Sequence, residues 1–508
     1  MKLRVIFLLS AIALFLVDEA YSQSYAESAL LFSRTQPGGS ARIQALGGAQ
    51  ISLGGDYSAA YSNPAGLGMF NRSEFTLSIG QRTSTTNSTY FGSEWTDDVS
   101  KLFIPGISGV FNIPGRSGKS GFLGGSFAFS YNRVNDFNNT LVYNGANTES
   151  SIIQSFILQA NGDFTSQFEE DGYNYNTPVG LAYYNYLIGP ASTLDESFPD
   201  DEYFTDVQSN FEEYLSDADQ GETIEMSGAT NQWSISYGAN FDDRIFVGAG
   251  LGITSLRYKS SSTFTEGYSI DPVFNYLILS EFLEIQGSGI NATIGGIFRP
   301  VDFVQVGVSY TSPTFYNLTE TYEASMQTSW KNFDYYGDGQ TILNNESAST
   351  DLVTSEYNFR APSRISAGVT FISKMGFITG DIEYTNPGKA KYSSEITGID
   401  YAPENREIRE RYNSAINVRV GAEFRYKILR VRGGYSALGK TFVNNVDNKI
   451  TAISGGLGAR FEKFFVDLAV IRRSSSFNYS PYAISDSAPI VDADRKETTG
   501  LVTFGFTF

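Results

Sequence analysis

The chain has 508 residues, a formal net charge of −19, and neither Cys nor His. Those absences exclude a disulfide framework, thiol chemistry and His-based catalysis, and the negative charge argues against a nucleic-acid partner. Aromatic residues make up 15% of the chain and charged residues 18%, a profile typical of β-rich membrane proteins with aromatic girdles.

The first residues predict a secretory signal peptide. Lys2 and Arg4 precede an apolar run over 5–17, and the small residues Ala20 and Ser22 follow at the spacing that signal peptidase reads. We therefore predict a signal peptide over 1–22. The apolar run is short for a membrane span, which favours cleavage over anchoring.

The next distinctive stretch runs from Gly38 to Arg72 and reads GGSARIQALGGAQISLGGDYSAAYSNPAGLGMFNR. It holds too many apolar residues for a solvated linker. Glycine loses much entropy on ordering, so we expect other parts of the chain to enclose the stretch. Asn63-Pro64 is a turn signal, in which the Asn63 side chain is expected to hydrogen-bond the backbone just beyond it.

From residue 73 onward, apolar and polar residues alternate with the period of a strand that has two unlike faces. Fourteen strands are predicted, over 73–83, 103–112, 121–132, 223–240, 245–258, 283–298, 303–326, 350–372, 376–394, 406–425, 428–437, 449–461, 464–477 and 494–508. Short and long connections alternate, and the longest covers 133–222. Such alternation is typical of periplasmic turns and extracellular loops. It predicts an all-β transmembrane antiparallel barrel of about 14 strands in the outer membrane of a Gram-negative bacterium.

Several motifs resemble the FadL/TodX family of outer-membrane fatty-acid and hydrocarbon transporters. The GxAxxxALGGA-like run and Asn63-Pro64-Ala65-Gly66-Leu67 are similar to that family's N-terminal hatch. Further similarity lies in 362–384 and 417–435. The resemblance implies a hatch over 23–72 inside a barrel over 73–508. It also implies passive, hatch-gated transport of long-chain fatty acids or hydrocarbons. The expected gating residues are Asn63, Pro64, Ala65 and Gly66.

The resemblance also implies how the barrel is assembled and where the ligand leaves. The C-terminal Phe508 resembles the signal read by the barrel-assembly machinery. We expect a monomer surrounded by outer-membrane lipid and lipopolysaccharide. Ligand could leave sideways through a gap in the wall at Gly124 and Gly125, because glycine weakens a strand and permits bulges.

Charged residues in the later strands are predicted to face the lumen, since a charge on the lipid face costs ~2–4 kcal/mol. Two interpretations are open: a polar pathway in which an arginine meets a ligand carboxylate, or a paired network that braces the barrel. The near balance of signs favours the brace. The residues are Arg364, Asp381, Glu383, Arg419, Glu423, Arg430, Arg432 and Asp467.

The long connection over 133–222 contains apolar residues at helical spacing, notably over 202–215. They predict either a small extracellular subdomain with its own core, which we favour, or a hydrophobic groove that captures ligand. The groove would use Leu181, Tyr184, Phe204, Val207, Phe211 and Leu215. Regular calcium-loop spacing is missing from the sequence, so we expect neither a metal site nor a cofactor.

Enzymatic motifs are missing from the sequence as well. A hydrolase triad lacks its His, and a phosphate-binding loop lacks its GxxxxGK[ST] pattern. We therefore expect that the protein is not an enzyme. Two alternatives to hydrophobic transport stay open. One is a FadL-like barrel that acts as a docking or shuttle subunit of a secretion system, and the other is a general porin.

Overall fold

Fourteen antiparallel strands pair in sequence order, and the last pairs with the first to close a barrel. A computed structural model describes residues 24–36, 38–115, 121–170, 172–194, 198–207, 218–443, 449–484 and 488–508. The closing ladder runs from Glu74 opposite Thr507 to Thr89 opposite Asp492. The predicted signal peptide lies outside the described residues.

All fourteen predicted strands are present, and many of them are longer than predicted. The strands are β1 Glu74–Tyr90, β2 Ser93–Pro114, β3 Phe122–Asp136 with Asn139–Asn147, β4 Ala218–Phe241, β5 Ile245–Tyr268, β6 Phe274–Val301, β7 Val304–Thr311 with Thr314–Asp334, β8 Ile342–Ser349 with Val353–Ala361 and Arg364–Ser373, β9 Gly376–Thr385 with Lys391–Ser393, β10 Ala415–Tyr426, β11 Leu429–Leu438, β12 Ile450–Arg460, β13 Phe464–Tyr479 and β14 Val491–Thr507.

Four of the strands are interrupted, and three of the interruptions contain proline, including the break in β9, which holds Pro387. The break in β7 falls at Ser312-Pro313 and one break in β8 at Pro362-Ser363. Proline has no N–H to donate to a ladder, so the pairing stops there. The other breaks follow Asp136 in β3, Ser349 in β8 and Thr385 in β9.

The faces of the strands are as predicted. On β7, Val306 and Val308 are exposed on the outer face, while Gln305 between β6 and β8 is buried. On β14, Phe504 and Phe506 are exposed and Thr503 is buried. The outward apolar residues form a belt around the barrel, as expected of a wall that faces hydrocarbon.

The N-terminal residues form short helices that lie inside the barrel. They are α1 Tyr25–Ser33, α2 Ala41–Ala45, α3 Ala59–Ser62 and a 3₁₀ turn over Pro64–Met69. Ser24 and Ser40 cap α1 and α2, each accepting a backbone N–H with its hydroxyl. None of the described helices is long and apolar enough to cross a membrane.

Two sequence predictions are wrong at the long-loop end of the barrel. The tenth strand does not begin at 406, because Ala402–Arg411 forms helix α6, and β10 starts at Ala415. The long connection is shorter than 133–222, because Asn139–Asn147 pairs with Ala218–Met226 and extends the wall. What remains between the two strands carries helices α4 Ile152–Ala160 and α5 Pro178–Tyr184.

Candidate functional site

The Asn63-Pro64 turn sits at the centre of the hatch and is completely enclosed. Asn63 is 1% exposed, and its Oδ1 accepts the Ala65 N–H at 3.2 Å, which is the predicted bond to the backbone just beyond. Its Nδ2 donates to the Ile51 carbonyl at 2.6 Å. The turn thereby ties two parts of the hatch together, and Pro64, Ala65 and Gly66 are buried with it.

Glycines on the inner wall let the hatch backbone approach the strands closely. A Cβ at Gly238, Gly248 or Gly295 would overlap atoms of Asn63 or Pro64. A Cβ at Gly421 would lie 2.5 Å from the Leu46 carbonyl oxygen. Side chains are therefore excluded from this part of the wall. We call these four wall residues the glycine seam.

Hydrogen bonds add to the seam. The Asp381 Oδ2 on β9 accepts the backbone N–H groups of Gln50 and Ile51 at 2.5 and 2.9 Å. Within the hatch, the Asp56 carboxylate accepts the hydroxyls of Ser40 and Ser58, each at 2.6 Å. The hatch is thus a fitted part of the barrel interior, held by its backbone as well as by its apolar side chains.

The charges near the short-turn end form one connected network. Arg432 donates to Glu423 and to Asp467, both at 2.6 Å, and all three side chains are at most 2% exposed. Arg425 and Arg460 add bonds to Glu423 and Asp467 at 2.7 and 2.9 Å. Since opposite charges occupy neighbouring strands, the arrangement fits a brace for the wall.

The structure corrects the position predicted for one lumenal charge. Arg430 is not the buried partner of Glu423, because the ladder places Arg432 opposite Glu423 and Arg430 opposite Arg425. The Arg430 guanidinium donates instead to the carbonyls of Lys427 and Leu429 at 2.7 and 2.8 Å. It belongs to its own tight turn.

A small polar cavity of about 30 Å³ lies between the hatch and the wall. Arg419 pairs with Glu383 there at 2.9 Å, and Arg364 donates to the Thr35 hydroxyl at 2.6 Å. The Arg419 Nε lacks a hydrogen-bond partner among the described residues. These three charged residues line the cavity, which is large enough for water.

Toward the long-loop end, the inner wall of β5 to β9 is apolar and aromatic. Helix α1 packs its buried face, which includes Leu30 and Phe32, against this wall. Leu30 and Phe32 belong to one hydrophobic cluster with these wall residues: Leu256, Tyr258, Ile285, Tyr316, Leu318, Tyr357, Phe359, Ala361, Ala390 and Tyr392. The inner wall at this end therefore has an apolar side, and α1 covers it.

Comparison with known proteins identifies the architecture. No protein-family profile matches the sequence, and no curated protein matches it significantly. Among solved structures, a Pseudomonas aeruginosa FadL homologue matches 94% of this chain and 99% of its own, with a TM-score of 0.51 and 13% identity. The Ralstonia pickettii toluene transporter TbuX matches 93% of this chain and 99% of its own, with a TM-score of 0.51 and 12% identity.

The chain has the FadL fold. The match covers the barrel and the N-terminal segment together, so the predicted resemblance is confirmed at the level of fold. At these identities, the similarity leaves the ligand of this FadL-fold barrel undefined.

The residues predicted to capture ligand at the surface do not line one open groove in the described part of the chain. Leu181 and Val207 are 2% and 3% exposed and pack with wall residues such as Phe274 and Trp330 in one core. Tyr184 is exposed, and Phe204 pairs with Gly189 in a two-stranded ladder, so the helix predicted over 202–215 is wrong at that position. Phe211 and Leu215 lie outside the described residues. The described part fits the subdomain interpretation better than the groove.

The glycine pair predicted to open the wall lies in a paired strand. Gly124 and Gly125 face Pro114 and Ile113 on β2, and Asn240 and Ala239 on β4. The ladder to β4 does shift register next to Gly124, which has a φ of +132°. The FadL-fold wall thus carries the expected bulge, and it is closed at both glycines in this structure.

Sequence reasoning missed the tyrosines around α1 and the half-buried carboxylate of Glu320. Glu320 lies on β7 and accepts the Tyr357 hydroxyl at 2.7 Å and the Tyr25 hydroxyl at 3.4 Å. Tyr357 lies on the inner face of β8. The break at Pro362-Ser363 interrupts the alternation of that strand, so the alternation read across the whole predicted strand does not assign Tyr357 to a face. Only the closed barrel brings β7, β8 and α1 together.

Proposed function

We propose that this FadL-fold protein carries hydrophobic small molecules passively across an outer membrane, and that it is not an enzyme. The observation that carries the proposal is the apolar inner wall of β5 to β9, which α1 of the hatch covers in this closed arrangement. Apolar ligands gain free energy when they leave water for such a surface. Long-chain fatty acids and hydrocarbons are the ligand classes that we infer.

The fitted hatch argues against a general porin. A sieve for polar solutes needs an open aqueous lumen, whereas here the hatch backbone lies against the wall at the glycine seam. Passage therefore requires a change in the hatch. We place that change at Asn63-Pro64, because the Asn63 side chain joins the turn to Ile51.

Uptake by whole cells tests the proposal. The protein is produced in a Gram-negative host that lacks its own hydrophobic-ligand channel, and entry of labelled oleate and of toluene is measured. We expect uptake of at least one of them well above a host with empty vector. Liposomes containing the wild-type protein should not swell in sugar solutions.

Replacing Asn63 and Pro64 together with Ala should leave a folded barrel, because the strands lie elsewhere, and should alter uptake or raise leak conductance in planar bilayers. If this variant keeps wild-type uptake and conductance, the hatch only fills the lumen and does not gate transport. That result would favour the docking-subunit alternative. Swelling of wild-type liposomes in sugar would favour the porin.

A further inference from the structure

The ring of Tyr25, at the start of α1, is surrounded by three other tyrosines. Its centroid lies 5.7, 5.1 and 5.5 Å from those of Tyr357, Tyr392 and Tyr401, and each contact is edge-on. Aromatic pairs prefer this arrangement at such distances. Tyr357, Tyr392 and Tyr401, which we call the tyrosine cage, therefore form a fitted receptacle for one six-membered ring.

The polar groups of the cage suit a hydroxyl on that ring. Glu320 accepts the Tyr25 hydroxyl at 3.4 Å and the Tyr357 hydroxyl at 2.7 Å. The Tyr392 side chain is completely buried, and its hydroxyl lacks a hydrogen-bond partner among the described residues. A buried hydroxyl without a partner is costly, so the cage has an unused donor as well as an acceptor.

Tyr25 covers the cage and is more exposed than the residues that form it. The three cage residues are at most 8% exposed, whereas Tyr25 is only partly buried. The first turn of α1 is tied to α6 by an exposed pair between Glu27 and Arg411 at 3.8 Å, and such pairs contribute little. Because Tyr25 belongs to α1 and not to a strand, its ring can leave the cage without breaking a ladder of the barrel.

We propose that the tyrosine cage and Glu320 bind a phenol, meaning a single aromatic ring that carries a hydroxyl. In the absence of the phenol, the side chain of Tyr25 occupies the site. A fatty acid is disfavoured there, because its carboxylate would face that of Glu320. An aromatic hydrocarbon without a hydroxyl should bind the cage more weakly than a phenol, because it offers Glu320 no hydrogen-bond donor. The inference rests on the proposed function and names the ligand class for one point on the route.

Direct binding to purified protein tests the cage, with p-cresol, the free counterpart of the tyrosine side chain, as the probe. Tyr25→Ala should bind p-cresol at least tenfold more tightly than the wild type does. The matched control Tyr336→Ala, which removes an exposed tyrosine, should bind like the wild type. On Tyr25→Ala, toluene and p-toluate should each bind at least tenfold more weakly than p-cresol. Equal affinities for p-cresol among the three proteins, or equal affinities for p-cresol and toluene, would overturn the proposal.

A second measurement does not depend on how Tyr25→Ala folds. The chain has no Cys, so Ser24→Cys can be labelled with a maleimide without background. Saturating p-cresol should increase its labelling rate severalfold by displacing Tyr25, and toluene should not. An unchanged rate with p-cresol would refute displacement. These assays measure binding and labelling, not transport. If the protein takes up hydrophobic ligands but does not bind p-cresol, the cage proposal is wrong and the proposed function stands.

Discussion

Arg432→Ala should destabilise the barrel strongly. The substitution removes a guanidinium that is 0% exposed and leaves Glu423 and Asp467, which are 2% and 0% exposed, without their shared partner. Breaking a buried pair from one side typically costs ~3–5 kcal/mol. Because Arg425 and Arg460 still contact the two carboxylates at 2.7 and 2.9 Å, we expect the lower end, about 3 kcal/mol.

Arg430→Ala is the matched control, because it removes the same side chain two residues away on β11. Arg430 is partly exposed and bonds to carbonyls of its own turn. Its loss should change stability by no more than about 0.5 kcal/mol. The free energy of unfolding is read from denaturant titration in lipid bilayers, and uptake is measured per folded molecule.

The brace interpretation predicts lower stability for Arg432→Ala with unchanged uptake per folded molecule. Equal unfolding midpoints for the two variants would refute the assigned network. Normal stability with a selective loss of carboxylated ligands would instead support a role in transport.

Three further predictions concern the seam, the long-loop end and the topology. Gly421→Ala should displace the hatch, lower the stability of the protein by ~1–3 kcal/mol and raise leak conductance. The control Gly433→Ala should have neither effect, because its Cβ would meet nothing closer than 4.0 Å. Glu222 on β4 accepts the hydroxyls of Tyr143 and Tyr479 at 2.8 and 2.9 Å. Glu222→Ala leaves both hydroxyls without this acceptor and should cost ~1–3 kcal/mol of stability, read from melting curves. Protease added to whole cells should cut within 138–220 and spare 373–375, and cleavage at 373–375 would reverse the orientation.

The sequence by itself determined the barrel. Period-two alternation fixes which residues of β7 and β14 face outward, since a one-residue slip would expose polar side chains such as Gln305 to lipid. Alternating connection lengths predicted a barrel with short turns at one end and long loops at the other. The Asn63-Pro64 turn could be predicted because one of the Asn63 bonds is local: its Oδ1 accepts the N–H of Ala65, two residues along the chain.

Tertiary structure alone decided what the lumen contains. The partner of Glu423 depends on ladder register, which places Arg432 opposite it. The fit of the hatch depends on inward glycines from separate strands, such as Gly248 and Gly421. The tyrosine cage assembles from β8, β9 and the residue before α6, around a ring from the start of the chain. Apart from the pair of Glu423 and Arg432, these contacts join residues more than a hundred positions apart, and local propensity and periodicity carry no information about them.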